Sequence, residues 1–378
     1  MKKILFISNI CKGINNFAIP SIKASSSLNI DFHHAANWKD MASFEKMEAD
    51  KKEFGIEIYH VPIARSPLSK CNITAYKEIC QIIKEEKIDY IHCNTPVGGV
   101  LGRLVGRKCG IKKVLYSAHG FHFYKGAPLV NRMIYYPAER ILAHFTDAII
   151  TMNKEDYVAA KKFKLRNKGK VFFCHGVGID LNQYSDVISS RMSKRAELGF
   201  KRNDTVLISM GDLIVRKDYE TAIRAIAKAN DSNLHYLICG KGSESDNLKR
   251  TAKELGIERQ VHFLGFRTDI KELLSAADIF LFTTLQEGLP RSMMEAMACG
   301  LPCIATEIRG NVDLIENGVG GFLCKPKDVE AFATAINDCN LDLRTKMGRS
   351  NLETIKQYDI HVVEAEMEKI YSEIFAQE

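Results

Sequence analysis

The chain has 378 residues, and its 53 basic against 46 acidic side chains give a formal charge of +7. At roughly 150 residues per domain, this length predicts two or three domains, each able to bury its own core. The apolar fraction of 46% and the charged fraction of 26% are ordinary for a soluble globular protein, and they exclude the disordered, collagen-like and coiled-coil classes.

Short apolar runs rich in Ile, Val and Phe alternate with amphipathic segments of roughly 10 to 15 residues. In the first half these candidate strands are Lys3–Ser8, Ile30–Ala35, Ile56–Ile63, Tyr90–Asn94, Val114–Ser117, Ala148–Met152 and Val171–Cys174. In the second half they are Val206–Gly211, His235–Cys239, Val261–Leu264, Ile279–Thr283, Cys303–Thr306 and Phe322–Cys324. Continuous runs separated by helices are typical of parallel strands buried on both faces. The pattern predicts an α/β protein of two doubly wound domains that face each other, with ligands at the carboxyl ends of the strands.

The boundary between the two domains is predicted near residue 185, because 176–201 contains a polar run and no strong strand. The final stretch has a helical apolar pattern with no strand after it, at Val362, Val363, Met367, Ile370, Tyr371 and Ile374. We therefore predict an N-terminal domain over 1–185, a C-terminal domain over 186–356, and a helix over 357–378 that returns to the N-terminal domain.

The eleven cysteines are scattered without a Cys-x-x-Cys pair, and no His or Cys cluster completes a metal-ligand set. The start of the chain resembles a signal peptide only over the short run Ile4–Ile7. No stretch approaches the roughly 18 apolar residues that a membrane span needs. We expect a reduced, cytosolic chain that does not span a membrane.

Two carboxylates with seven residues between them follow the predicted strand IFLFTT. Glu287 lies in the loop, where Gly288 allows a ligand to approach the backbone. Pro290 suits the start of a helix that contains Glu295. Free N–H groups at that helix start favour an anion, so the pair suits a sugar nucleotide, with hydroxyls at both ends and phosphate between them. On spacing alone, the favoured alternative is one buried Glu at the N-terminal end of the helix and one solvated helix Glu.

Two adjacent cations, Arg216 and Lys217, follow the predicted strand VLISMG and its terminal Gly211. A planar guanidinium and a point-charge ammonium both suit phosphate oxygens. An exposed basic pair at a helix start is the alternative, but it would oppose the helix dipole, which favours a functional role.

A Gly-x-Gly turn at Gly240 and Gly242 resembles part of a dinucleotide-binding fingerprint. Ser245 stands where the third glycine would be, and no acidic residue ends the next strand, VHFLGF. Both gaps weaken a nicotinamide interpretation. A tight turn that needs glycine explains the pattern as well as a phosphate-binding role does.

In the first half, His119, His122 and Lys125 follow a strand, where a ligand cleft is expected. Gly13 lies in the loop after the first strand and offers its backbone to a ligand. A structural histidine and an ordinary strand-to-helix loop are the alternatives, and the sequence leaves both open.

Taken together, these residues resemble glycosyltransferase family 4, retaining enzymes of the GT-B fold. The family's Glu-x7-Glu motif is matched by Glu287 and Glu295, and its Gly-x-Leu-x3-Lys loop by Gly211, Leu213 and Lys217. The strings HGFHFYKGAP, GVGID, EGLPRSMMEAMACGLP and TEIRGNVDLIENG look like the bacterial branch that builds capsular and exopolysaccharide repeat units. The resemblance covers essentially the whole chain.

The resemblance implies that Glu295 binds the ribose, Glu287 the donor sugar and Lys217 the diphosphate. Asp212 stands where the family often has Arg, so help from Arg216 is expected. The implied catalytic residues are Glu287, Lys217 and His119. The implied donor-binding residues are Gly13, Gly211, Arg216, Lys217, Gly240, Phe266, Arg267, Glu287, Gly288, Leu289 and Glu295, with Phe266 and Arg267 meeting the base through their backbone.

The resemblance also implies the substrates: a nucleotide sugar, by family habit UDP-linked, and a polyprenyl-diphosphate-linked saccharide at the cytoplasmic leaflet. It implies no metal or other cofactor and no nucleic acid. Two alternatives remain, a non-catalytic sugar-nucleotide-binding subunit and a nucleotide-dependent oxidoreductase.

The basic excess lies in residues 1–185, which carry 28 basic and 16 acidic side chains, whereas residues 186–378 carry 25 and 30. Anionic lipid attracts such basic segments. We expect the acceptor or the membrane to meet the first half, although solvated loops would give the same count. The candidates are His122, Lys125, Lys161, Lys162 and Lys164, with a second basic cluster at Arg107, Lys108, Lys112 and Lys113.

Overall fold

The computed structural model describes residues 1–38, 41–184 and 190–375. The chain divides into two compact units, of which the second spans Ile179–Asp359 and the first contains Met1–Gly178 and the C-terminal helix. The predicted boundary at residues 185 and 186 lies outside the described residues. The second unit begins earlier, because the backbone N–H of Ile179 donates to the carbonyl of Tyr358 at 2.9 Å and thereby joins the two ends of that unit.

The first unit is built on a parallel sheet of seven strands in the order β3-β2-β1-β4-β5-β6-β7. The strands are β1 (Lys2–Cys11), β2 (Ile30–Trp38), β3 (Glu57–His60), β4 (Tyr90–Asn94), β5 (Lys113–Ala118), β6 (Ala148–Thr151) and β7 (Lys170–Phe173). The helices between them are α1 (Ile19–Ser27), α2 (Met41–Phe54), α3 (Cys71–Glu85), α4 (Pro96–Lys108), α5 (Leu129–Ala143) and α6 (Lys154–Ala160).

The second unit has a parallel sheet of six strands in the order β10-β9-β8-β11-β12-β13. The strands are β8 (Thr205–Met210), β9 (Leu234–Cys239), β10 (Val261–Gly265), β11 (Ile279–Phe282), β12 (Cys303–Thr306) and β13 (Gly321–Cys324). The helices are α7 (Arg191–Glu197), α8 (Tyr219–Ala229), α9 (Ser245–Glu254), α10 (Ile270–Ala276), α11 (Arg291–Ala298), α12 (Asn311–Leu314), α13 (Val329–Asp338) and α14 (Leu341–Thr354).

Both sheets are buried on both faces, which explains the continuous apolar runs. Along β1, Ile4 and Phe6 belong to one core cluster, whereas Leu5 and Ile7 belong to another on the opposite face. Side chains of a strand alternate between the two faces of the sheet. A strand covered on both faces therefore has apolar residues at successive positions rather than at every second one. Every predicted run is a strand, with ends that match or are shifted by at most three residues, and the expected doubly wound α/β architecture is confirmed.

The C-terminal helix α15 (Ile360–Phe375) packs on α1 and so belongs to the first unit, as expected. Its buried side chains include Val363, Met367 and Tyr371, whose hydroxyl is 2.7 Å from Nδ1 of the buried His92 on β4. Val362 was expected on the apolar face, but the helix turns it outward and it is exposed. None of the described helices combines the length and the apolar character that a membrane crossing requires.

Three histidines of the first unit with lowered pKa values, His34, His92 and His119, make its stability depend on pH. Burial lowers the pKa of His34 to about 4 and that of His92 to about 3, against an ordinary value of 6.5. The chain's single tryptophan, Trp38, is fully buried in the same core. Its fluorescence therefore reports the unfolding of this unit.

We expect the urea midpoint reported by Trp38 to fall as the pH drops from 7 to 5. Below about pH 6.5 the unfolded histidines take up protons, whereas the folded ones stay neutral down to their own lower pKa. Each histidine therefore removes up to about 1.4 kcal/mol of stability per pH unit. His92→Gln should make this dependence less steep, whereas His361→Gln on the exposed side of α15 should leave it unchanged. A midpoint that does not change with pH in the wild-type chain would contradict the assignment.

Candidate functional site

The central strands of the second sheet, β8 and β11, mark its topological switch point. From β8 the chain continues to β9 on one side, and from β11 it continues to β12 on the other. The carboxyl ends of such neighbouring strands form the crevice in which open α/β sheets bind ligands. Loop 211–218 leaves β8 there and loop 283–290 leaves β11, so the two strongest sequence motifs lie side by side.

Direct hydrogen bonds hold the two loops together. The backbone N–H of Leu285 donates to the carbonyl of Arg216 at 2.9 Å, and the Thr283 hydroxyl donates to the carbonyl of Asp218 at 2.8 Å. Asp218 itself has a left-handed backbone conformation, with φ of +49°. The backbone geometry thus orients the side chains of both loops toward one point.

That point is a single carboxylate oxygen, Oε1 of Glu287. Lys217 Nζ lies 2.7 Å from it, the Thr284 hydroxyl donates to it at 2.9 Å, and Arg216 Nη1 lies at 3.3 Å. The Lys217 and Glu287 side chains are largely buried, whereas Arg216 is partly exposed. The structure therefore brings together three residues that the sequence predicted separately or in pairs: Arg216, Lys217 and Glu287.

Glu295 lies in α11, which is the helix predicted to contain it and has Pro290 at its N-cap. Its Oε1 accepts from Arg291 Nε at 3.0 Å. Burial raises the pKa of Glu295, and the neighbouring Tyr184 phenol also has a raised pKa, first from burial and then from the Glu295 charge. Glu295 is thus a largely buried carboxylate, with 18% of its side chain exposed, rather than the solvated helix Glu that the spacing also allowed.

The Gly-x-Gly turn after β9 has a packing reason. A Cβ atom on Gly240 would lie 1.9 Å from the carbonyl oxygen of Gly211, and one on Gly242 would lie 2.2 Å from that of Leu213. Neither approach is possible with a side chain, so both glycines are needed for the turn to support loop 211–218. The tight-turn interpretation of this motif is therefore the one that the geometry favours.

The predicted base-binding segment follows β10. The Phe266 side chain is exposed. The Arg267 guanidinium is held by Asp269, with Nε 2.7 Å from Oδ1, and this contact lowers the pKa of the Asp269 carboxyl. The Arg267 side chain is thus paired with Asp269 inside the segment. The prediction was that the backbone of Arg267, not its side chain, contacts the base.

Sequence reasoning missed two residues that fix the position of Glu287. Thr284 holds its carboxylate, and Nε of the buried Arg309 donates to its backbone carbonyl at 3.0 Å. Gly310 follows with φ of +84°, and a Cβ there would lie 2.6 Å from the carbonyl oxygen of Gly288. Two sequence features could have indicated these residues: the pair of Thr residues directly after β11 and the Arg-Gly pair after β12. Both pairs follow the carboxyl ends of strands.

In the first unit, His119 follows β5; the residue is half-buried, and both of its ring nitrogens are buried. Within the described residues neither ring nitrogen has a hydrogen-bond partner, and the ring packs edge-on against Phe17 at 4.9 Å. Burial lowers the pKa of His119 to about 4, so the imidazole is neutral at pH 7. Gly13 follows β1 at the same edge of the sheet and lines a cavity of about 200 Å³.

A second cavity of about 380 Å³ opens beside His119 and is also lined by His122, Tyr135 and Glu139. His122 stacks on Tyr135, with their ring centroids 4.6 Å apart. Glu139 forms a bidentate ion pair with the fully buried Arg103, whose Nη1 and Nη2 lie 2.6 and 3.2 Å from the carboxylate oxygens. Because Arg103 orients it, Glu139 presents a fixed carboxylate to this cavity, and the sequence had not pointed to it.

The predicted acceptor and membrane residues do not form one cluster. His122 and Lys125 follow β5, at the carboxyl edge of the sheet, whereas Lys161, Lys162 and Lys164 precede β7, at the amino edge. Because the strands are parallel, these are opposite edges of the sheet. Within the described residues no group of three or more His, Cys, Asp or Glu side chains could hold a metal ion.

Comparison with known proteins identifies the family. Residues 190–351 match the family described as glycosyl transferases group 1, and residues 40–153 match one described as glycosyl transferase 4-like. The putative glycosyltransferase EpsD of Bacillus subtilis is 34% identical, over 98% of this chain and 96% of its own. An Escherichia coli UDP-Gal:alpha-D-GlcNAc-diphosphoundecaprenol alpha-1,3-galactosyltransferase is 30% identical, over 75% and 74%.

The fold comparison agrees with this result. Anabaena HepE, solved in complex with UDP and glucose, superposes with a TM-score of 0.78 at 22% identity, over 99% of this chain and 100% of its own. The match covers both units, so the likeness is one of fold. The chain belongs to glycosyltransferase family 4 and is a glycosyltransferase of the GT-B fold.

Proposed function

We propose that this enzyme transfers a hexose or N-acetylhexosamine, with retention of configuration, from a UDP-sugar to a polyprenyl-diphosphate-linked saccharide. The observation that carries the proposal is the convergence of Lys217 and Arg216 on Glu287 at the switch point of the second sheet. The E. coli relative is named for transfer from UDP-galactose to a diphosphoundecaprenol-linked sugar, which supports both substrates. The product would be a repeat unit of a capsular, exopolysaccharide or other surface glycan.

The charges at the site suit a diphosphate beside a sugar. Two cations share one carboxylate, so the cluster keeps a net positive charge for phosphate oxygens. All three donors to Glu287 converge on Oε1, which leaves Oε2 to accept from hydroxyls of the donor sugar. The buried Glu295 carboxylate would accept from the ribose, while the backbone of Gly288 and Leu289 approaches the phosphates.

The proposed transfer takes place on one face of the sugar. The bond from the anomeric carbon to the diphosphate oxygen breaks, and a bond to the acceptor hydroxyl oxygen forms on the same side. The acceptor's proton passes to the leaving diphosphate. Lys217 and Arg216 would stabilise the negative charge that grows there, an effect worth about 3 kcal/mol per well-placed donor. His119, neutral at pH 7, would accept or donate a hydrogen bond at the donor sugar rather than carry charge.

The acceptor is a lipid, so we also propose that the chain works as a peripheral protein at the cytoplasmic leaflet. The basic first half supports this proposal. The cavity lined by His119, His122 and Glu139 is the place we propose for the acceptor's sugar.

Removal of the Lys217 ammonium should nearly abolish turnover. We expect Lys217→Ala to lower kcat about 100- to 1000-fold, because the leaving diphosphate loses its best-buried cation. Arg216→Ala should cost less, since Arg216 is more exposed. The assay is release of UDP with a matched lipid-linked acceptor, and Lys228→Ala on the outer side of α8 is the control. Normal turnover of Glu287→Gln beside an inactive Lys217→Ala would refute the sugar-orienting role of Glu287.

A panel of nucleotides should separate the candidate functions. At 100 times its Kd, a ligand stabilises the fold by about 2.7 kcal/mol, so the correct donor should raise the melting temperature clearly. We expect UDP-sugars to do so, and nicotinamide dinucleotides not to. Glu295→Gln should reduce the preference for UDP over its 2′,3′-dideoxy analogue. A shift with nicotinamide dinucleotides alone would support the oxidoreductase alternative, and a UDP-sugar shift without turnover on any acceptor would support the non-catalytic one.

We further propose that transfer needs no metal ion, because side-chain cations neutralise the diphosphate. UDP release should then keep its rate in excess chelator. The measurement compares initial rates with and without EDTA, and with Mg²⁺ or Mn²⁺ added back. A rate that falls with EDTA and returns with a divalent ion would contradict this proposal.

A further inference from the structure

The positive charge of the first unit is concentrated in one stretch of the chain. Residues 101–170 carry 15 Lys and Arg side chains but only four acidic ones. This stretch runs from α4 to β7 and includes α5 and α6. It therefore holds most of the basic excess of the N-terminal half.

The four acidic side chains of this stretch are all engaged by neighbouring groups. They are Glu139, Asp147, Glu155 and Asp156. Their hydrogen-bond donors include, in that order, the Arg103 guanidinium (2.6 Å) and the backbone N–H groups of Val114 (2.7 Å), Lys125 (2.6 Å) and Phe121 (3.1 Å). Their negative charges are thus neutralised or hydrogen-bonded within the first unit, and the net exposed charge of the stretch is positive.

Helix α5 lies within this stretch and is covered at only one end. Of its 15 residues, only Leu142 and Ala143 are buried. Its large apolar side chains are instead exposed by 37% to 79%: Leu129, Val130, Met133, Ile134, Tyr135 and Ile141. The exposed charges of the helix are Arg132 and Arg140, because Glu139 pairs with Arg103. An apolar helix surface with only basic charges is typical of helices that lie in a membrane interface.

The basic segments border α5 and touch one another. The Phe163 ring, between Lys162 and Lys164, packs on Tyr136 of α5 at 5.6 Å. The Arg107 guanidinium lies 4.3 Å from the Phe145 ring, just after α5. Arg166 Nη2 donates to the carbonyl of Ile111 at 3.1 Å, which joins the two basic segments. We call the exposed side of α5 with Lys161, Lys162, Lys164 and Arg107 the basic–apolar face.

We propose that the basic–apolar face docks on an anionic lipid bilayer, with α5 lying along the surface. The inference rests on the proposed function, since a polyprenyl-linked acceptor is reached only at a membrane. A second copy of the chain would bring two positive faces together, whereas an anionic bilayer complements both the charge and the apolar side chains. Tyr135 and Glu139 of the same helix line the cavity beside His119, so docking would bring that cavity to the lipid surface.

The test measures binding of the full chain to vesicles of phosphatidylcholine with and without 30% phosphatidylglycerol, as a probe composition. We expect the wild-type chain to bind the anionic vesicles. The triple variant Leu129→Ser, Met133→Ser and Ile134→Ser should lower the partition coefficient at least about tenfold, at both low and high salt. Lys161→Ala with Lys162→Ala and Lys164→Ala should instead remove the preference for anionic vesicles and the salt dependence.

The matched control replaces three exposed apolar residues elsewhere, with Leu68→Ser, Ile73→Ser and Leu341→Ser. Binding that is unchanged in the α5 variant, or reduced equally in the control, would overturn the proposal. So would an α5 variant that loses only self-association in sedimentation equilibrium. Thermal melting confirms that each variant is folded.

A turnover measurement separates this inference from the proposed function. The α5 variant should keep the wild-type rate on a water-soluble, short-chain prenyl diphosphate sugar and lose rate on the same sugar embedded in vesicles. An equal loss on both acceptors would overturn the docking role. Absence of transfer to either acceptor by the wild-type chain would refute the proposed function instead, and the vesicle-binding result would still decide the docking surface.

Discussion

One oxygen atom, Oε1 of Glu287, connects the two loops on which the candidate donor site depends. Without it, the Lys217 ammonium would lie largely out of water beside Phe282, with its ring 5.0 Å away and no opposite charge. Removing a charge from water is costly unless it is paired and hydrogen-bonded, and here the Thr284 hydroxyl and the Arg216 guanidinium complete the set. The pairing therefore holds the cation in position before any ligand arrives, which lowers the reorganisation needed during transfer.

The backbone around this oxygen leaves little room for change. Gly240 and Gly242 pack against loop 211–218, and Gly310 packs against Gly288. Each contact is too close to leave room for a Cβ atom. The carbonyl of Glu287 is itself held by Arg309. Four segments that are distant in the sequence thus meet at the carboxyl ends of β8, β9, β11 and β12. A small shift in any of them would move the charges of the site.

The sequence predicted the strands well because both sheets are covered on both faces, so burial appears directly as unbroken apolar runs. It also indicated Lys217 and Glu287, since both follow strands in a parallel sheet. It could not predict that they pair with each other, because that requires β8 and β11 to be neighbours in the sheet. Arg309 and Glu139 were missed for the same reason, since their partners are distant in the chain. The sequence could not predict that α5 is exposed. A helical pattern of apolar residues identifies one face of a helix, but it does not show whether another part of the protein covers that face.

Net charge and local charge have different consequences in the two units. In the second unit the overall balance is negative, yet the charges that we propose for phosphate binding are two cations fixed at a strand end. At physiological salt, screening over about 8 Å makes distant surface carboxylates matter little to them. In the first unit the exposed basic residues are instead spread around an exposed apolar helix. Such an arrangement is poorly suited to one compact anion but well suited to an extended anionic surface, where many weak attractions add to apolar burial. The uneven distribution of charge along the chain thus matches the proposed division between a compact, phosphate-bearing donor and an acceptor held in a lipid surface.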